Sequence, residues 1–329
     1  MMNILVTGGA GYIGSHVLKA LLKEGHQVVT FDNLQKGHKK AIIGGKFIKG
    51  DLADKELLNQ VMEKNQIEGV IHLAADSLVG ESMENPGKYY RNNFANGINL
   101  LEAMVKNGVK NIVFSSTAAV YGEPDQIPIK EDNQTEPTST YGESKLFFEK
   151  ALKRYDDIYD LKYVSLRYFN AAGADPEGEI GEAHDPETHL IPIVLQTALG
   201  IRDKIYIFGD DYPTCDGSCI RDYIHVTDLA AAHVLAVEAL ADGKESSIYN
   251  LGNGEGYSVK EVINTVKEVT GRDFEVEVSE RRAGDPAVLI ASSDKIQKEL
   301  NWQPQYPELE KIISTAWKWH KSGGFEIIY

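Results

Sequence analysis

The chain has 329 residues, of which 42% are hydrophobic and 25% charged, and its formal net charge is −15. That much apolar material excludes a disordered or fibrous chain, and the length predicts two domains or one large one. The acidic balance argues against non-specific binding to nucleic acid or an anionic membrane, yet leaves room for a small anionic ligand held by a few arginines.

The N-terminal stretch Met1-Met2-Asn3-Ile4-Leu5-Val6 lacks the basic start of a signal peptide and runs straight into a strand pattern. No apolar run approaches the roughly 20 residues of a membrane span. A soluble, cytoplasmic protein is the expectation. Ile4–Val6, Val28–Phe31, Phe47-Ile48, Val70–Leu73, Ile112–Phe114 and Val164–Leu166 read as buried strands. Between the first two lies a helix, with Ile13, Val17 and Leu21 on one stripe and Gly25 as terminator. Leu57-Leu58 with Val61-Met62, and the segment 93–105, supply further helices. This alternation predicts an α/β fold: a Rossmann-type, doubly wound parallel sheet covered on both faces.

After about Ala171 the texture changes. Two polar loops, 173–181 and 209–217, are rich in glycine, proline and acids. Thr227 is placed to cap a helix through Leu240, and Ser258-Val259-Lys260-Glu261 is a capping box ahead of Val262 and Val266. A last helix is expected over 309–320. The second half therefore reads as a smaller α/β unit. Two cysteines, Cys215 and Cys219, are too few for a disulfide framework. With no further Cys or clustered His to complete a zinc site, no metal is expected.

Chemistry enters at Gly8, Gly11 and Gly14, between the first strand and the first helix. In this Gly-x-x-Gly-x-x-Gly spacing Gly8 permits a tight turn and Gly11 the approach of a pyrophosphate. Gly14 permits close helix–strand packing, and the helix N-terminus offers N–H groups and a positive dipole. A glycine triplet also suits a plain tight turn. Asp32 closes the second strand 18 residues after Gly14, where a carboxylate accepts hydrogen bonds from an adenosine ribose and repels a 2′-phosphate. NAD is thus favoured over NADP, with Asp51-Leu52 flanking the adenine.

Tyr141 and Lys145 stand at i and i+4 on one helix face. A phenol has an ordinary pKa of about 10, and a nearby ammonium and an oxidised nicotinamide both favour its phenolate. Upstream, Ser115-Ser116-Thr117 ends a strand, placing Thr117 to hydrogen-bond a reacting oxygen. Alone, Tyr-x-x-x-Lys is equally an ordinary surface helix turn; after a glycine cradle and a Ser/Thr strand end it reads as catalytic.

The chain resembles the extended short-chain dehydrogenases/reductases, and within them the UDP-glucose (UDP-galactose) 4-epimerases, along nearly its whole length. The matching stretches include TGGAGYIGSH at 7–16, FDN at 31–33, VGES at 79–82 and NN at 92–93. FSSTAAVYG at 114–122, YGESK at 141–145, LRYFNAAGA at 166–174 and FGDDYPT at 208–214 follow, then RDYIHVTDLA at 221–230, YNLG at 249–252 and RRAGDPA at 281–287. The resemblance implies a redox-neutral 4-epimerase that keeps its NAD and works through a 4-keto sugar, with Thr117, Tyr141 and Lys145 catalytic. It implies cofactor contacts from Gly8, Gly11, Tyr12, Ile13, Gly14, Asp32, Asn33, Asp51, Leu52, Leu73, Ala74, Ala75, Asn93, Ser115, Tyr168 and Phe169. On the UDP-hexose side it implies Asn170, His189, Leu190, Phe208, Arg221, Arg282, Asp285 and Leu289, besides Thr117 and Tyr141.

The expected division is an NAD domain over 1–170 with a returning segment at about 221–252, and a UDP-sugar domain over the rest of 171–329. By the same resemblance the helices bearing Asn93 and Tyr141 form a homodimer interface. Three positions depart from the family pattern. Ala75-Asp76-Ser77 replaces a run that carries a lysine, and His189 stands where Asn is common. Leu289 occupies the position beside the hexose 2-carbon, intermediate between a small residue that admits an N-acetyl group and a tyrosine that closes the pocket. UDP-GlcNAc/UDP-GalNAc epimerisation is therefore the alternative, with a uronate or pentose as a further one. Ala118-Ala119 supply no acid for elimination, which argues against a dehydratase. A non-catalytic NAD-binding regulator and a dehydrogenase with net redox are the competing classes; retention of Thr117, Tyr141 and Lys145 argues against the first.

Overall fold

Strand β1 (Asn3–Thr7) shows why the sheet is buried on both sides. Its side chains alternate, so Ile4 and Val6 join one apolar cluster and Leu5 the other. The computed structural model describes residues 1–282 and 285–325. β1 leads into α1 (Tyr12–Lys23), β2 (Gln27–Asp32), β3 (Lys46–Lys49), α2 (Lys55–Lys64) and β4 (Gly69–His72). Then come α3 (Val79–Glu84), α4 (Pro86–Tyr89), a π-type turn at Tyr90–Ala95, α5 (Asn96–Lys106), β5 (Asn111–Thr117), α6 (Thr140–Tyr159), β6 (Lys162–Tyr168) and β7 (Asn170–Ala172). The remainder holds α7 (Leu190–Ala198), β8 (Lys204–Phe208), β9 (Ile220–Arg221), β10 (Tyr223–His225), α8 (Val226–Ala241) and β11 (Ser247–Leu251). It closes with β12 (Tyr257–Ser258), α9 (Val259–Thr270), β13 (Glu275–Ser279), β14 (Val288–Leu289), α10 (Asp294–Leu300) and α11 (Leu309–Lys321).

Seven parallel strands form the main sheet in the order β11-β6-β5-β4-β1-β2-β3. The predicted α/β doubly wound architecture is what the chain adopts, and the strand order reverses between β1 and β4, where open sheets of this kind bind ligands. One face carries Val17, Leu18 and Leu21 of α1 against Leu229, Ala236 and Val237 of α8. The other carries Leu58 and Val61 of α2, Leu100 and Met104 of α5, and Phe148 and Leu152 of α6. Outside the main sheet, α7, α9 and α11 enclose a third core with Ile205 and Ile207 of β8 and Tyr223 of β10. No helix of the described residues is long and apolar enough to cross a membrane. Both cysteines are free thiols, Cys215 exposed and Cys219 buried.

Two local expectations are corrected. The helix expected over 93–105 begins earlier, at Pro86, and passes through the π-type turn before α5. That turn places Asn93 to bond Asp76 and Ser144, contacts that a periodicity of 3.6 does not anticipate. The N-cap of α8 is His225, whose Nδ1 accepts from the Thr227 amide at 3.1 Å, rather than Thr227, whose hydroxyl is buried without a partner. The capping box at Ser258 and Glu261 forms as read.

Two of the buried histidines beside the main sheet contribute to a pH dependence. His72 Nδ1 pairs with Thr7 Oγ1 at 2.7 Å, and burial, helped by Lys145, lowers it to about 3. His233 Nε2 pairs with Ser115 Oγ at 2.8 Å, and burial lowers it to about 4. Unfolded, each takes up a proton near its ordinary pKa of about 6.5. The unfolded state therefore binds more protons below about pH 6.5, and stability is retained above that pH and falls as pH drops toward 4. Urea midpoints should decline across this window, and a His72→Gln/His233→Gln double variant should show a flatter decline. An unchanged slope in that variant would remove the two histidines as its source.

Candidate active site

The glycine turn is shaped by contacts that admit no side chain. Gly8 adopts φ +75° and its N–H donates to the Phe31 carbonyl at 3.0 Å; a Cβ there would lie 2.6 Å from the Ala74 nitrogen. A Cβ on Gly14 would run into the Gly8 carbonyl and the Gly9 Cα. Helix α1 starts at Gly11 with no side-chain cap and no acid in its first turn, so its N-terminal N–H groups and positive dipole stand at the cleft unopposed. The Asp32 carboxylate accepts from Ala10 N at 3.0 Å and Leu34 N at 2.8 Å. Asp51 accepts from Asn33 Nδ2 at 2.8 Å and Ala53 N at 2.9 Å. A side-chain-free anion cradle with a fixed carboxylate at the next strand end fits a dinucleotide.

Across the cleft, β5 ends in Ser115-Ser116-Thr117 and α6 begins under a Ser139 cap that accepts from Gly142 N. Tyr141 and Lys145, one helical turn apart, are only 7% and 3% exposed. The Tyr141 hydroxyl is hydrogen-bonded to Thr117, while Lys145 Nζ donates to the Ser115 carbonyl at 2.8 Å and lies 5.9 Å from the Tyr141 ring centroid. Burial pushes the Tyr141 phenol up, with the Thr117 hydroxyl working against it. Burial also brings Lys145 down to about 7, opposed by Glu149. The expected lowering of the phenol by the ammonium is thus not what the two side chains show together. Each charged form loses water on burial, and that loss is the largest influence on both groups.

One cleft of about 420 Å³ gathers most of the expected residues. Gly8, Gly11, Tyr12, Ile13, Gly14, Asp32, Asn33, Asp51, Leu52, Leu73, Ala74, Ala75, Tyr168 and Phe169 line it together with Thr117, Tyr141, Lys145, Asn170 and His189. Asn93 and Ser115 sit behind its wall as braces. Asn93 Oδ1 accepts from Asp76 N at 2.8 Å and its Nδ2 reaches Ser144 Oγ, while Ser115 Oγ is held by His233. Leu190 opens α7 beside His189 and packs on the third core.

Phe208, Arg221, Arg282, Asp285 and Leu289 do not line that cleft; they gather on β8, β9 and the approach to β14. Arg221 is ion-paired to Asp285, and the Arg282 guanidinium sits 4.0 Å over the Phe208 ring. Of the RRAGDPA stretch, Ala283 and Gly284 lie outside the described residues. The two groups meet at Asn170, whose Nδ2 donates at 2.8 Å to the carbonyl of Asp222, next to Arg221. Leu289 packs with Ala118 against the small cluster that contains Phe169.

Sequence reasoning missed several cleft-lining residues: Lys36, Asp76, Glu81, Asn92, Glu182 and His184. At the departure Ala75-Asp76-Ser77, Asp76 is ion-paired to Lys88, whose Nζ lies 3.2 Å from Asp76 and 2.8 Å from Glu81. Of the missed residues, Glu81 and Asn92 fall in stretches that match the family, and the Glu-x-His-x-x-Glu-x-His text at 182–189 carries a signal that could have been read.

This fold and site define an enzyme of the short-chain dehydrogenase/reductase type, a parallel sheet with a dinucleotide cradle facing a tyrosine–lysine pair. Residues 4–252 match the model of the NAD dependent epimerase/dehydratase family, and the chain belongs to that family. It is 58% identical over 320 residues to a UDP-glucose 4-epimerase of Halalkalibacterium halodurans, covering 97% of this chain and 96% of that one. A crystal structure of a UDP-glucose 4-epimerase superposes with a TM-score of 0.95 at 56% identity, over 97% of this chain and 98% of the other. The Brucella ovis UDP-glucose 4-epimerase in complex with NAD gives the same TM-score of 0.95 at 48% identity, over 96% and 98%.

Proposed function

We propose that this chain interconverts UDP-glucose and UDP-galactose by 4-epimerisation with a resident NAD, acting in the cytoplasm. The observation that carries the reading is the Thr117, Tyr141 and Lys145 constellation set across one cleft from the glycine cradle. NAD, when bound, supplies the hydride acceptor at C4 and a positive charge beside the phenol. Gly8, Gly11, Tyr12, Ile13 and Gly14 hold its pyrophosphate, Asp32 its adenosine ribose, and Tyr168 and Phe169 its nicotinamide end. Tyr141 takes the proton of the sugar 4-hydroxyl and returns it, Thr117 holds that oxygen, and Lys145 binds the nicotinamide ribose. Ala118 and Ala119, which form a short turn directly after Thr117, place no acid there for elimination.

Residues 1–170, with the returning segment at about 221–252, form the NAD side, and the rest of 171–329 the UDP side. Phe208, Arg221, Arg282 and Asp285 receive the uridine diphosphate with Asn170, His189 and Leu190. Pyrophosphate competes there with the carboxylate and the ring that engage the arginines in this structure. The chain pairs as a homodimer through the helical run that holds Asn93, the π-type turn with α5, and through α6, where Phe94, Phe147, Ala151 and Arg154 line a second hollow on the surface; the mass in solution checks this.

Purified protein given UDP-galactose and no added NAD should convert it to the equilibrium mixture with UDP-glucose. A net-redox dehydrogenase would stop after one turnover. Leu289, half-buried beside Ala118 and Phe169 and intermediate in size, leaves a second reading in which N-acetylated hexoses also enter. Turnover of UDP-GalNAc in the same assay decides it, and none at high enzyme concentration removes that reading.

A further inference from the structure

Four side chains outside the tyrosine–lysine machinery converge at the rim of the cleft. Glu182, His184, Glu187 and His189 fall within one short segment ahead of α7, and their ligand atoms lie within 4.8 Å of one another. His184 Nδ1 is 2.9 Å from Glu182 and 3.9 Å from Glu187. His189 Nδ1 is 2.9 Å from Glu182 and 2.8 Å from Glu187. A tetrahedral ion with bonds of about 2.0–2.1 Å needs donor–donor edges of about 3.3–3.4 Å, so three of these nitrogen–oxygen contacts must open, and the fourth close, by about 0.4–0.6 Å to seat it.

Burial makes this cluster unlike an ordinary surface group. Glu182 and Glu187 are 3% and 8% exposed, and among the described residues their ion pairs run to these two imidazoles. One of the two carboxylates is already oriented from behind, and the other residue is held through its backbone. Glu187 Oε1 accepts from the amides of Thr188 and His189, both at 2.8 Å, and the Glu182 carbonyl accepts from Trp319 Nε1 at 2.9 Å. The neighbouring trio Asp175, Glu177 and Glu179 makes a useful contrast. There Lys19 Nζ reaches all three carboxylates at 2.7–2.9 Å, so an ammonium already occupies the centre.

We propose that Glu182, His184, Glu187 and His189 form a tetrahedral site for a divalent transition ion of the zinc class. Two imidazoles with two carboxylates suit zinc better than calcium or magnesium, which prefer all-oxygen shells of higher coordination. Four protein ligands leave no open position, so the ion is a structural clamp and not a Lewis acid. It ties a cleft wall to the loop after β2, because His38 Nε2 already bonds the Ala183 carbonyl at 2.7 Å. For want of further cysteine or clustered histidine no zinc site is expected from the sequence, although both histidines and both glutamates lie in the stretch 182–189. The inference touches the epimerase reading at one residue, moving His189 from the UDP side to the ion, and its readout is metal and not turnover.

Tag-free full-length protein, stripped with EDTA and titrated with zinc chloride, tests it. One zinc per chain should bind, the melting temperature should fall on stripping and return with zinc, and cobalt should give the intense visible bands of a tetrahedral site. His184→Ala and Glu187→Gln should each weaken zinc binding on the order of 100-fold or more. Should either variant fail to fold, X-ray absorption of the zinc-loaded unsubstituted chain must show two imidazole nitrogens with oxygen ligands at about 2.0–2.2 Å. Absence of stoichiometric zinc would leave an imidazole–carboxylate ion-pair cluster only and overturn the proposal. So would a bound zinc whose shell lacks imidazole.

Discussion

A Tyr141→Phe variant should lose turnover by about a thousandfold, within the range expected for removal of a general acid–base, while retaining its NAD. The hydroxyl is the only atom removed, and Tyr141 is buried at the end of a packed helix, so the ring still fills its place. The loss should appear equally in kcat and kcat/KM, because the proton moves only in the chemical step. Thr117→Val should cost less, since it removes a hydrogen bond to the phenol and leaves the base in place. Steady-state kinetics with UDP-galactose, together with NAD released on denaturation, check both variants. Turnover within a few-fold of the unsubstituted chain would remove Tyr141 as the base.

Stability should be hit hardest one helical turn beyond the lysine. Glu149 on α6 and Arg167 on β6 form a two-pronged ion pair, Arg167 Nη2 to Oε2 at 2.6 Å and Nε to Oε1 at 3.0 Å, with both side chains 4% exposed. Ser116 Oγ donates to the same carboxylate at 2.5 Å, and Arg167 Nη1 donates to the Tyr121 hydroxyl at 2.9 Å, which donates in turn to Asn250 at 2.6 Å. Arg167→Leu strands a buried carboxylate and should cost about 3–5 kcal/mol. A Glu149→Leu/Arg167→Leu double variant should recover much of that loss, since no uncompensated charge remains. Its activity should still fall, because Glu149 is the group that sustains the charge of Lys145 against burial. Urea unfolding of the three variants measures the cycle; a single-variant cost under about 1 kcal/mol would show that the pair is not what holds α6 to β6.

Much of this molecule was readable from short-range pattern. The strand alternation at Ile4–Val6, the stripe on α1 and the capping box at Ser258 each depend on residues within one or two turns of each other. The same holds for the candidate site, since Gly8, Gly11 and Gly14 share one turn and Tyr141 and Lys145 are one helical step apart. Where reading failed, the deciding partner was distant or the backbone irregular. The π-type turn before α5 exists so that Asn93 can reach Asp76 and Ser144, and His225 displaces Thr227 as a cap because its ring nitrogen is already held in place by Thr315 from α11.

The amino-acid sequence by itself determined the acidic, doubly wound α/β chain, its dinucleotide cradle and its tyrosine–lysine pair, since periodicity and backbone sterics are local. Only the tertiary structure decided what burial does to those groups. It buries the phenol and the lysine side by side, where desolvation shifts both toward neutrality. It engages Arg221 and Arg282 with Asp285 and Phe208, and folds two histidines onto two buried glutamates at the cleft rim. Electrostatic energies depend on distance and dielectric in three dimensions, and neither quantity is written in the order of the residues.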